Sequence, residues 1–181
     1  GSGAAHLYQK AGGAEKALHS EDNGERWRVF GLRRGAAEQY LISGRFDEGI
    51  LILRPLLASV GMSYPKTPEH AQASILESTT ALSLRGVTFK SAEEPEQEAV
   101  RQRLRLCWTA GKGVGFIDPI RGYSLFLKSL RLGLKLGDAS AVARGLATVG
   151  MLMMSRGGSH IIARGKMFVQ RARELAQARD E

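Results

Sequence analysis

The strongest constraint on the fold is a helical period in the apolar residues, interrupted repeatedly by residues that start or end helices. Within 139–156, small and apolar residues recur three or four positions apart, which is the spacing of one helix face. Thr67 and Asp118 each precede a proline, the order typical of an N-cap followed by the first helical position, and Asp138 follows a glycine that can end a helix. No segment alternates apolar and polar residues as a half-buried strand does. The sequence therefore predicts an all-α fold.

The turns between these segments indicate how the helices are arranged. Gly12 and Gly44 each end a helical segment and lie 32 residues apart, close to the period of about 34 residues of tetratricopeptide repeats. We therefore predict a tetratricopeptide-like α-solenoid, a right-handed array of antiparallel helix hairpins. The predicted helices lie at 4–11, 14–20, 25–43, 46–60, 69–86, 95–116, 119–136, 139–156 and 159–178. Residues 1–3 are interpreted as a cloning remnant and 4–181 as one helical-repeat domain, with sub-units at 4–60, 69–116 and 119–178.

Glycine is unusually frequent for a helical chain. The sequence has 22 glycines in 181 residues, about 12% against a usual 7%. Several lie inside predicted helices, where each costs about 1 kcal/mol relative to alanine. We expect close helix–helix contacts at these positions, which are Gly35, Gly111, Gly115, Gly133, Gly145, Gly150 and Gly165.

The charge is concentrated in the C-terminal half. Residues 1–98 carry 11 basic and 13 acidic side chains, whereas residues 99–181 carry 15 and 5. In the predicted helix 119–136, four basic residues fall within about 80° of one another at 100° per residue. This helix and 159–178 are expected to be the first helices of their pairs and to line a concave groove. The candidate partner-binding face is Arg121, Lys128, Arg131, Lys135, Arg164 and Arg171. The alternative is a solvated basic face without a partner.

Motifs for catalysis or cofactor binding are missing from the sequence. The glycine-rich stretch 111–115 continues a helical pattern and is interpreted as helix packing, not as a phosphate loop. The four histidines lack metal-ligand spacing, and Cys107 is interpreted as a core thiol. Asp118 and Asp138 are expected to be structural helix caps, and Arg121 can pair with Asp118 or a neighbouring helix. We therefore expect no catalytic residue, no metal and no cofactor in this chain.

The cysteine content and the hydropathy bear on where such a chain works. One cysteine cannot form an internal disulfide, which favours a reducing, cytoplasmic setting. No run of 18 apolar residues is present, so a membrane is not an expected partner. The chain begins in a helical pattern without a starting methionine, which suggests a piece of a larger protein.

Three stretches resemble a known family. They are AAEQYLISGRFDEGILILRPLLASVGMSYPKTP, LSLRGVTFK and CWTAGKGVGFIDPIRGYSLFLKSLRLGLKLGDASAVARGLA, in that order along the chain. They are similar to the tetratricopeptide-like region of large bacterial serine/threonine protein kinases, over roughly 4–156. In that family a kinase domain and an AAA-type ATPase module precede the helical region. The resemblance implies a regulatory or scaffolding segment; kinase motifs themselves are absent from this sequence.

The sequence thus favours a non-catalytic interaction or regulatory domain for signalling. The expected partner is an acidic protein or peptide, or another domain of the parent chain, bound in the basic groove. Two alternatives remain open. One is nucleic-acid binding through the basic C-terminal half, which is less favoured because exposed aromatics are not interleaved with the basic residues. The other is a small-molecule sensor with a pocket between helices 95–116 and 119–136.

Overall fold

The computed structural model describes residues 23–89 and 98–178. Within these ranges the chain forms seven α-helices and no strand, which confirms the all-α prediction. The helices are α1 (Asn23–Ile42), α2 (Phe46–Ser59), α3 (Pro68–Arg85), α4 (Glu98–Val114), α5 (Pro119–Leu136), α6 (Ala139–Ser155) and α7 (Ser159–Gln177). The helices predicted at 4–11 and 14–20 lie outside the described residues.

Three helix starts use the caps that the sequence predicts. The Thr67 hydroxyl accepts a hydrogen bond from the His70 backbone N–H at 3.3 Å. The Asp118 carboxylate accepts one from the Arg121 N–H at 2.9 Å, and the Asp138 carboxylate accepts one from the Ala141 N–H at 3.0 Å. Each bond satisfies one of the backbone donors that a helix leaves unpaired at its first turn. These local signals fix where α3, α5 and α6 begin.

The helices pack mainly as consecutive pairs, with α3 as the exception. The most extensive contacts join α6 to α7, α4 to α5 and α1 to α2, while α3 packs against α5 and not against its neighbours in sequence. The expectation that α5 and α7 are first helices of their pairs does not match this packing, because each is the second. The pairing of α4 with α5 crosses the expected boundary between 69–116 and 119–178, so that division stays a prediction.

Two apolar clusters form most of the core, and α5 contributes to both. The first joins α1, α2 and α4, with Leu53 and Leu106 fully buried, and it includes Leu125 of α5. The second joins α3, α5, α6 and α7, with Leu127 and Leu146 fully buried. Because α5 is buried on several faces, it is apolar around much of its circumference.

Most of the interior glycines mark places where two helices approach closely. A Cβ atom on Gly150 would lie 2.7 Å from the Gly165 carbonyl oxygen, and a Cβ on Gly165 would lie 2.7 Å from the Gly150 carbonyl oxygen. A Cβ on Gly111 would lie 3.0 Å from the Phe126 ring, which confirms packing as the role of that glycine. The prediction is wrong for Gly35, where an added Cβ would meet no atom within 4 Å. The glycines of α6 and α7 therefore set the distance between these helices.

Candidate functional site

A concave cavity of about 670 Å³ opens between α3 and α5. Its wall is completed by the segment 61–63 and by one side chain of α4. Five basic residues line it, and none of the described lining residues is acidic. We call this cavity the basic groove and define it by Arg85, Arg103, Lys128, Arg131 and Lys135. Its volume falls within the range of about 300–1,000 Å³ that is usual for ligand sites.

The floor of the basic groove is apolar. Met62, Ala81 and Leu132 line it together with Leu82 and Leu134, whose side chains are nearly fully buried in the second core cluster. The groove therefore places cations around an apolar surface. A ligand suited to it has anionic groups and an apolar part.

Three of the predicted basic residues come together in the groove because they share one face of α5. Lys128, Arg131 and Lys135 are spaced by three and four residues, so they follow one another along that helix. The Arg131 guanidinium donates to the Glu77 carboxylate at 2.8 Å and to the Ser78 hydroxyl at 3.3 Å. The central cation of the row is thus already shared with an acidic residue of α3.

The other two groove cations, Arg85 and Arg103, lie on α3 and α4. The charge pattern of the sequence did not predict that they would lie beside the basic face of α5. Arg85 lies in the last turn of α3 and donates from Nη2 to the Leu134 carbonyl oxygen at 3.2 Å. Arg103 of α4 donates from Nε to the Val60 carbonyl oxygen at 2.6 Å. These bonds hold both guanidinium groups at the groove. No local signal identifies them, because their positions depend on the packing of α3 on α5 and of α4 beside segment 61–63.

Arg121 supports the fold and does not line the groove. Its guanidinium pairs with Asp118 and donates to the carbonyl oxygens of Pro65 at 2.8 Å and Lys66 at 2.9 Å. It also lies 5.9 Å from the Tyr64 ring centroid. The pairing with Asp118 is confirmed. Arg121 therefore ties the segment between α2 and α3 to the start of α5.

Arg164 and Arg171 on α7 lie outside the lining of the groove. The Arg164 guanidinium carbon is 5.6 Å from the Phe168 ring centroid. Arg171 forms an ion pair with Glu174 at 2.9 Å. Of the six residues predicted to form one partner-binding face, three line the groove, Arg121 makes a structural contact, and Arg164 and Arg171 lie on α7.

Cys107 is a core thiol. It is fully buried, and its Sγ lies 3.8 Å from the Met62 Sδ beneath the groove floor. Burial raises the pKa of this thiol to about 12, and the charge of Lys128 opposes that shift in part. The thiol is therefore protonated at neutral pH, which removes the nucleophile that a catalytic cysteine needs.

A second, smaller cavity of about 110 Å³ lies between α1 and the end of α4. Leu41, Ile42 and Phe116 line it, and the Phe116 side chain is 87% exposed. The Lys112–Glu38 ion pair, at 2.6 Å, lies at its edge. Its volume suits a single side chain.

The basic groove does not lie where the sequence predicted a small-molecule pocket. That pocket was expected between α4 and α5, whereas α4 contributes only one residue to the lining of the groove.

Other kinds of site receive no support from the described residues. Within 23–89 and 98–178, no group of three or more histidine, cysteine, aspartate or glutamate side chains could hold a metal ion. None of the helices in these ranges is long and apolar enough to cross a membrane. No protein family, curated protein or solved structure matches this chain. The basic groove is therefore the candidate functional site within the described residues.

Proposed function

We propose that the chain is a non-catalytic interaction domain that binds an acidic segment of a partner protein in the basic groove. The observation that carries this proposal is the presence of five cations around one concave surface whose described lining holds no acidic residue. Like charges placed this close repel one another, and an anionic ligand relieves that repulsion. A cleft lined by one sign of charge also focuses the field and accelerates the association of oppositely charged partners.

The family resemblance gives this proposal a biological setting. A helical segment of a large bacterial serine/threonine protein kinase would act by docking a partner or another domain of the same chain. In that setting the groove would serve regulation and scaffolding, and the chemistry would take place in the domains outside this sequence.

A small anionic molecule is the second candidate, and the observation that favours it is the volume of the groove. A thermal-shift screen with phosphate esters and dicarboxylates tests it, since a ligand that binds the folded state raises the melting temperature. Nucleic acid is less favoured, because the described groove lining contains no aromatic residue on which bases could stack.

The leading proposal is tested by reversing charges in two places. Lys128→Glu with Lys135→Glu removes two groove cations, and Arg164→Glu with Arg171→Glu makes the same change in net charge on α7. We expect the groove pair to weaken binding of an acidic peptide at least tenfold at low salt, and the α7 pair to change it less than twofold. Binding is followed by titration of ¹⁵N-labelled protein.

Two measurements complete this test. The melting temperatures of both double variants should stay within a few degrees of the parent protein, because the reversed groove side chains lie at the surface of the cavity. Raising the salt concentration should weaken binding to the parent protein, since exposed charges are screened beyond about 10 Å at 0.1 M. Equal losses from the two charge reversals would contradict a role specific to the groove.

A further inference from the structure

We infer that a second surface, centred on the exposed side of α4, binds single-stranded nucleic acid. We define this side by Arg101, Arg105, Trp108 and Lys112 and call it the α4 stripe. The inference concerns a site other than the basic groove and does not depend on the proposed function. It follows from the residues that the stripe exposes, from the charge around it and from the tryptophan within it.

The α4 stripe is narrow because the rest of the helix is buried. Its residues are spaced by three and four positions, so they share one face of α4. From position 102 to the end of α4, the residues outside the stripe are buried except Arg103. Arg103 lies about 200° around the helix from Arg101 and lines the basic groove. The side of α4 away from the groove therefore exposes three cations and one tryptophan.

Two neighbouring helices add arginines to this surface. Arg34 of α1 donates from Nη1 to the Thr109 hydroxyl of α4 at 3.1 Å. The guanidinium carbon of Arg144, on α6, lies 4.3 Å from the centroid of the Trp108 ring. These contacts join three helices in one surface with five cations, which are Arg34, Arg101, Arg105, Lys112 and Arg144.

Arg105 is the cation of the stripe without an acidic partner. Within residues 23–89 and 98–178, its exposed side chain forms no ion pair and no hydrogen bond. Burial lowers the pKa of Arg34, Glu38 opposes this shift, and the charge of Arg105 adds to it. The two arginines are thus close enough to repel each other, and an anion between them relieves that repulsion.

The carboxylates that pair with the other cations are too few to neutralise the surface. Glu38 is shared between Lys112, at 2.6 Å, and Arg34, at 3.9 Å. Glu98 pairs with Arg101 at 3.4 Å. Five cations therefore face these two carboxylates, and the excess positive charge attracts a polyanion.

The aromatic side chains favour nucleic acid over an acidic peptide. Trp108 is half-buried, and Phe126 supports its ring in an edge-on contact with centroids 5.2 Å apart. Nucleic-acid bases stack on aromatic rings and on guanidinium planes, and the exposed Arg144 offers such a plane beside the indole. Phe116, just past the end of α4, is 87% exposed. The basic groove lacks such rings in its described lining.

The same stacking argument selects single strands. In a duplex the faces of the bases are stacked on one another and cannot reach a protein side chain. In a single strand the bases can turn outward and stack against the Arg144–Trp108 pair while the phosphates meet the cations of the stripe.

The experiment follows binding of fluorescein-labelled dodecauridylate, U12, to the 181-residue chain by fluorescence anisotropy. If Arg101, Arg105 and Lys112 each contact a phosphate, the slope of log K against log salt is about −2, and affinity falls about tenfold between about 50 and 150 mM salt. Arg101→Gln with Arg105→Gln should bring the slope to about −0.7 and weaken binding at low salt at least tenfold. Arg164→Gln with Arg171→Gln removes the same charge from α7 and should change affinity less than twofold.

Substitutions of Trp108 test the stacking. Trp108→Leu should weaken U12 binding at least fivefold, whereas Trp108→Phe keeps a ring and should lose less than about threefold. The sequence has two tryptophans, so a Trp27→Phe variant reports on Trp108 alone. U12 should quench its fluorescence, and this readout does not require Trp108→Leu to fold.

Each contrary outcome would overturn the inference. Undetectable U12 binding at low salt would do so and would leave the proposed function unaffected. An unchanged Trp108 signal at saturation would remove the stacking, and equally tight binding of a twelve-base-pair RNA duplex would remove the selection of single strands. A loss from Lys128→Gln with Lys135→Gln as large as that from the α4 pair would place the strand in the basic groove instead.

Discussion

At the scale of single residues, the groove cations differ in whether they already form an ion pair or a side-chain hydrogen bond within the described part of the chain. Lys128 and Lys135 have no ion pair or side-chain hydrogen bond within the described part of the chain, and their charges are available to a ligand. Arg131 is shared with Glu77, whose side chain is 67% exposed. Glu77 therefore competes with any incoming carboxylate for this one guanidinium.

Because of this competition, removing the Glu77 carboxylate should strengthen peptide binding, whereas the charge reversals in the groove should weaken it. Glu77→Gln should strengthen binding of an acidic peptide by about two- to threefold, because Arg131 loses its acidic partner. The free energy of unfolding should fall by less than about 1 kcal/mol, since exposed ion pairs contribute little. Titration measures the peptide affinity, and urea denaturation measures the free energy of unfolding.

The matched control is Glu48→Gln, which breaks the exposed Arg45–Glu48 pair, 2.7 Å long, at the start of α2. It removes the same charge and should leave peptide affinity unchanged. Stronger binding in both variants would mean that net charge alone, and not Arg131, determines the effect.

At the scale of helices, local signals determine where each begins and packing determines how close two can come. The caps at Thr67, Asp118 and Asp138 act through neighbouring backbone atoms, so the sequence predicts them directly. Close contact at a glycine depends on the facing helix. The glycine count therefore predicts that such contacts exist but not which glycines make them, as Gly35 shows.

Two substitutions of the same kind should have opposite effects on stability. Gly35→Ala should raise the free energy of unfolding by about 0.5–1 kcal/mol, because an open helical position gains helix propensity. Gly150→Ala should lower it by about 1–3 kcal/mol, because the new Cβ would lie 2.7 Å from a backbone oxygen of α7. Gly150→Leu should lower it further. Urea denaturation measures all three, and a stable Gly150→Leu variant would contradict the packing role.

At the scale of the whole molecule, long-range packing limits what the sequence can predict. The α5 row of Lys128, Arg131 and Lys135 could be predicted because one helix carries it. Arg85 and Arg103 could not, because α3 packs on α5 across the intervening α4 in the chain order. The fold class follows from periodicity, whereas the groove follows from which helices meet.

The sharing of α5 between the two core clusters predicts cooperative unfolding. Leu53→Ala in the first cluster and Leu127→Ala in the second should each lower the free energy of unfolding by about 2–5 kcal/mol. In both variants a single transition should be seen, with coincident tryptophan fluorescence and far-ultraviolet circular dichroism in urea. Loss of one cluster before the other would show as two separate transitions and would contradict the coupling through α5.

The contacts of Arg121 have a consequence for which positions near the groove can vary. Its two acceptors in the segment between α2 and α3 are the main-chain carbonyls of Pro65 and Lys66, and every residue type carries such a group. The side chain at position 66 can therefore change without releasing the tether. Position 121, in contrast, must remain arginine. Its planar guanidinium group contacts both carbonyl oxygens and the Asp118 carboxylate at once. Arg121 thus holds the segment between α2 and α3 in place, while the side chain at position 66 can be replaced by another residue type.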